Sequence, residues 1–214
     1  MIGRVQECLE TLYDVRSESR AEAFLVDRKT ALALGAAGHA EEELLLLEDG
    51  DGLSVALFLD PGLLERVAAR GGWSPERPPL GRALNDWCQL AEGVSHFLYL
   101  SHVADQERRV SLLELEAQAE VDKFALPVLA RWGEGVGRFA TRLWSRLFVP
   151  QGYRPQLSAP ERQRYVEANR LAGTYCSRLL TLVQRRRREE LLRELRYGYR
   201  LGAEAKFQYL SRRH

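Results

Sequence analysis

Glu92 and His96 stand four residues apart in a stretch of helical periodicity, one turn from each other on the same side. A carboxylate and an imidazole so placed can both reach one divalent cation. The next helical stretch offers Glu116 and Glu120, again one turn apart, in the same sector as Leu112, Ala119, Leu126 and Ala130. Charges on an apolar face cost free energy unless they are paired, because burial strips their hydration. Glu92, His96, Glu116 and Glu120 are therefore candidate ligands for a divalent metal held between two facing helices, in the manner of carboxylate–histidine bundles. The Glu-x-x-His spacing of di-metal bundles is absent, and no second carboxylate–His pair occurs. Lys123 shares the sector and gives the same residues another meaning, a buried Glu–Lys network that sets helix register. His102 continues the apolar stripe of the first helix and reads as a hydrogen-bonded core histidine.

A second constellation is basic. Arg178, Arg185, Arg186, Arg187, Arg188, Arg193, Arg196 and Arg200 are interleaved with Tyr175, Tyr197, Tyr199 and Tyr209. Arginines contact phosphates and aromatic rings stack on bases, so this composition suits nucleic acid or an acidic protein surface. No RNA- or DNA-binding module accompanies it. Arg187 with Glu190, and Glu189 with Arg193, also sit at the spacing of ordinary helix ion pairs.

Catalytic signatures are missing. There is no GxSxG, Walker A, GxGxxG or HExxH sequence, and the glycines at 133, 135 and 137 lack the Lys-Ser/Thr that a phosphate cradle needs. Cys88 lies on an apolar stripe and Cys176 beside another, so neither is placed as an exposed nucleophile. Three widely spaced cysteines suit neither a disulfide framework nor a structural zinc site.

The elements that must position these residues follow from pattern. Over 214 residues, 45% hydrophobic and 29% charged, the composition is that of a globular protein. Apolar runs such as Leu44–Leu47 fall far short of the ~20 residues that span a bilayer. The N-terminus has no signal-like stretch, and a cytoplasmic location with no membrane contact is expected. Residues 1–75 read as a small α+β unit. Val5–Tyr13 is a helix, Ala23–Val26 a strand and Lys29–Leu34 a second helix. Glu43–Glu48 and Leu53–Leu59 form an antiparallel hairpin around the turn-forming residues Asp49 to Gly52. Asp60-Pro61 opens another helix. Residues 71–79, with three prolines and two glycines, mark a boundary.

From residue 80 to 214 the pattern is a helical bundle. Ser111 with Glu114, and Ser158 with Glu161, match the capping box. Pro127 predicts the end of one helix near Ala125, and Val136–Phe148 reads as the next. Tyr165, Ala168, Ala172, Tyr175, Leu179 and Leu182 form a narrow helix–helix seam. The pattern leaves open whether this helix continues or turns back at Arg185. The fold class is α+β, mostly α.

Net charge is only +1, but residues 1–129 hold 12 basic and 23 acidic side chains, and residues 130–214 hold 19 and 7. Balances of −11 and +12 predict complementary surfaces. The leading functional expectation is a protein-interaction or regulatory module that docks on a protein partner or on a second copy. Nucleic-acid binding through the Arg/Tyr helices is the alternative, and a metal-binding bundle is the third reading.

Overall fold

The computed structural model describes residues 1–49, 52–69, 83–149 and 157–212. Helix α1 (Ile2–Tyr13) buries Ile2, Val5, Leu9 and Leu12, the stripe its periodicity demands, and ends on Asp14 in the left-handed conformation. The expected strand at Ala23–Val26 is mostly a 3-10 turn, Ala21–Phe24, with only Leu25–Val26 extended as β1. The reason is local: the Ala21 N–H is held by Gln6 Oε1 of α1 at 2.9 Å, which tightens the chain there. Helix α2 (Arg28–Ala33) starts where the Asp27 side chain accepts from the Thr30 N–H.

The hairpin strands are β2 (Glu42–Asp49) and β3 (Gly52–Leu59), and the expected turn between them falls on residues 50 and 51, outside the described set. Glu42 pairs with Leu59 across the antiparallel ladder, while β1 pairs parallel to β3, giving the order β1-β3-β2. Both faces of β3 are buried. Leu57 and Leu59 enter the main core, and Ala56 and Phe58 close a small cluster with Ala31 of α2 and Leu45. Helix α3 (Pro61–Ala69) follows.

The bundle comprises α4 (Ala83–Ala104), α5 (Leu112–Ala130), α6 (Val136–Phe148), α7 (Ala159–Gln184), α8 (Arg188–Arg200) and α9 (Ala203–Ser211). Both capping boxes form as expected. Helix α5 does not stop at Ala125; it runs through Pro127 to Ala130. Proline removes one backbone donor, but Leu126, Pro127 and Val128 are all buried, and that packing holds the last turn in place. The α7 helix does turn back: Arg186 adopts φ 55°, and Arg187 N–H reaches the Leu182 carbonyl at 2.9 Å. Helix α9, which no pattern announced, folds against α7 and α8.

Helix α5 is the axis, packed by α4, α6, α7 and α1. One hydrophobic core joins α1, β3 and α3 to the bundle helices, and so crosses the position of the expected boundary, whose own residues 71–79 are outside the described set.

Candidate metal centre

An axial helix surrounded on most sides has nowhere to put its charges except inside. Glu116 and Lys123 of α5 are buried, as is His96 of α4, which is 7% exposed. Glu92, His96 and Glu116 each present one potential ligand atom, and those atoms all lie within 4.8 Å of one another. Glu120, the fourth residue expected here, sits beside that group. Its Oε1 accepts from Lys123 Nζ at 2.9 Å, and Asn169 of α7 faces its Oε2 at 3.4 Å. Lys123 Nζ also lies 2.8 Å from Glu92 Oε2.

His96 is bracketed. Its Nδ1 is 3.4 Å from Glu42 Oε1 of β2, and its Nε2 is 3.6 Å from Glu116 Oε2. Both are longer than a good hydrogen bond, and neither His96 Nε2 nor Glu42 Oε1 has a hydrogen-bond partner. Arg164 Nε of α7 approaches the other Glu116 oxygen at 3.4 Å. Four carboxylates thus face two fixed cations, Lys123 and Arg164, and the imbalance falls on the imidazole or on a bound cation. Burial pushes the Glu42 carboxyl above its usual range, with nearby His96 opposing. Burial pulls the His96 ring down, but the carboxylates of Glu116 and Glu42 override it and hold it well above its usual value.

Glu42 had no signal in the sequence, since it lies in an acidic run 50 residues from Glu92. Gly93 is the other unread residue. A lone glycine inside a helical pattern marks close approach, and here it lets β2 and β3 lie against α4 beside His96. Arg164 and Asn169, from the far side of the bundle, were not anticipated either.

The basic constellation is dispersed. Arg196 donates to the Leu12 and Thr11 carbonyls and Arg200 to those of Tyr13 and Asp14, so both serve the C-terminus of α1. Arg178 donates to the Tyr209 carbonyl and lies over the Tyr175 and Tyr209 rings. Arg187 pairs with Glu190 and Arg188 with Glu189. Arg185, Arg186 and Arg193 are exposed, as is Tyr197, while Tyr175 and Tyr199 are core. His102 is half-buried, with Nε2 2.9 Å from Gln106 Nε2 and its ring beside Tyr199. The three cysteines are free thiols, and burial pushes Cys88 up to about 12. A thiol so held makes a poor nucleophile.

A second buried polar cluster lies elsewhere on α5. Asp122 accepts from Tyr13 Oη, from Ser95 Oγ at 2.5 Å and from Gln118 Nε2 at 2.9 Å, and burial lifts it to about 6. Lys206 of α9 inserts its ammonium 2.9 Å from Tyr99 Oη, over the rings of Tyr99 and Tyr199. Burial pulls this lysine down to about 7.

No protein-family model, curated protein or solved structure matches the chain. Among the described residues, no helix is long and apolar enough to cross a membrane.

Proposed function

We propose that the protein is a divalent-metal-binding helical bundle, with Glu92, His96 and Glu116 as ligands and Glu42 as the carboxylate behind the histidine. The observation that carries this reading is the convergence of three donors within 4.8 Å around a buried ring nitrogen, His96 Nε2, that has no hydrogen-bond partner. One imidazole nitrogen and carboxylate oxygens suit a first-row ion such as Mn2+, Fe2+ or Zn2+ better than Ca2+. On binding an ion, Nε2 would give up its proton and turn its lone pair toward Glu92 and Glu116, while Nδ1, 3.4 Å from Glu42 Oε1, would keep its own, the usual arrangement in which a carboxylate orients a ligating histidine. A bound ion would balance the excess negative charge and tie α4 to α5. Through Glu42 it would also tie the sheet to the bundle.

The test is metal analysis of the full chain after chelator stripping and anaerobic reloading with each ion in turn. One ion per chain, lost in Glu116→Gln and in His96→Gln, is the expected result. Absence of any stoichiometric ion in the unsubstituted protein overturns the reading.

A docking module keeps one supporting observation, the exposure of Arg185, Arg186 and Arg193. It ranks second because Arg178, Arg187, Arg188, Arg196 and Arg200 are engaged by the protein's own groups.

A further inference from the structure

We infer that the Lys123 ammonium occupies a second cation position of this centre, and that Lys123 thereby limits it to one divalent ion. The inference rests on the metal reading above. Lys123 Nζ bridges Glu92 Oε2 at 2.8 Å and Glu120 Oε1 at 2.9 Å, one carboxylate from each of the two central helices. Two-metal sites place their ions about 3.5–4 Å apart in a common clamp, and Glu92 here belongs both to the ligand group and to the ammonium pair. The buried His96 Nε2, which makes no hydrogen bond and faces Glu116, marks the first position; the ammonium fills the second.

The choice of side chain supports this independently. Of 31 basic residues only Lys29, Lys123 and Lys206 are lysines. An ammonium is a compact point charge that can sit between two carboxylates as an ion does, whereas guanidinium is a planar fork that needs a wider slot. In an otherwise arginine-rich chain, the position between Glu92 and Glu120 carries the cation closest in shape to a metal.

Removing the ammonium uncovers two carboxylates that face each other inside the bundle, next to an ion already bound. They would attract a second divalent ion of the same class, with Glu92 shared between the two.

The experiment is a Mn2+ titration of the full chain and of Lys123→Ser, both stripped with chelator, with bound metal read by elemental analysis and by electron paramagnetic resonance. Expected are one ion with an isolated six-line signal in the unsubstituted protein, and two magnetically coupled ions in Lys123→Ser. One ion in both overturns this inference and leaves the metal reading standing. Two ions in the unsubstituted protein overturn it as well. No ion in the unsubstituted protein removes the metal reading itself. Glu120→Gln, which keeps the size of the side chain, guards against a variant that fails to fold. Because Glu120 serves the ammonium, its loss should change first-ion affinity by less than about threefold, against about tenfold or more for Glu116→Gln. Equal losses would place Glu120 on the first ion and overturn the assignment.

Discussion

Gly93 of α4 lies directly against Glu42 of β2: a Cβ at position 93 would come within 2.9 Å of Glu42 Cγ and 3.0 Å of Leu59 Cδ2. The sheet therefore rests on the helix through a missing side chain, and that contact puts the Glu42 carboxylate beside His96. Alanine normally stabilises a helix interior relative to glycine by about 1 kcal/mol. At this position the overlap should outweigh that gain, so Gly93→Ala is expected to cost about 1–2 kcal/mol net. Urea denaturation measures it. The same variant should weaken metal binding by displacing Glu42, and a stabilised protein with unchanged affinity would contradict both expectations.

Glu42→Gln separates orientation from ligation. The amide keeps the shape of the side chain but removes the charge that faces His96 Nδ1. Loss of such an orienting carboxylate costs about 10–100-fold in metal affinity. Stability without metal should change little, or rise, because burial already disfavours the charged carboxylate. Calorimetric titration, paired with thermal melts of the metal-free protein, reads the two effects separately.

Lys206 predicts a slope of stability with pH. The groups facing it are Tyr99 of α4, Tyr199 of α8, Asp122 and Glu114 of α5, and Arg108 before α5. Burial holds its folded value at about 7, against about 10.4 in an unfolded chain. Between those values the unfolded chain binds a proton that the folded one does not. Stability therefore climbs as pH rises from 7 towards 10, and the contribution is lost as pH falls through 7. The scale is on the order of 1.4 kcal/mol for each pH unit of difference. Lys206→Met should flatten this rise and stabilise the protein at pH 7, measured by denaturation midpoints at several pH values. An unchanged slope would mean that the ammonium stays charged over the Tyr99 ring.

Exposed Arg185, Arg186 and Arg193 set what the unpaired part of the α7–α8 basic run could offer a polyanion. Each phosphate contact contributes a slope of about −0.7 to −0.9 in log affinity against log salt. Three arginines thus support a slope no steeper than about −3. Fluorescence anisotropy with labelled RNA and DNA at several salt concentrations measures it. A steeper slope would bring in further basic groups, the ion-paired Arg187 and Arg188 or the exposed Arg138 and Arg142 of α6.

What the sequence made legible was local. Both capping boxes, the bounds of α6 and the pairing of β2 with β3 depend on residues within a few positions of one another, and they formed as patterned. Glu92, His96 and Glu116 were legible because helical spacing fixes which side of α4 and α5 they occupy. Pro127 misled because its local preference lost to the burial of its neighbours. Glu42, Arg164 and Lys206 carried no signal, since each reaches its partners from an element remote in sequence. No spacing rule connects residue 42 to residue 96, or residue 206 to residue 99.

The two arginines that serve α1 set a constraint in time. Arg196 bonds the carbonyl of a residue 184 positions earlier, Arg200 one 187 positions earlier, and Tyr13 stacks on Tyr199 at 3.9 Å. A ribosome adding about 5–20 residues per second needs roughly ten to forty seconds to supply those partners. Through that interval α1 can settle on α4 and α5, but its C-terminal carbonyls and the face of Tyr13 stay uncovered. The sealing of the C-terminal end of α1 therefore belongs to the last stage of folding, long after its contacts with α4 and α5 can form.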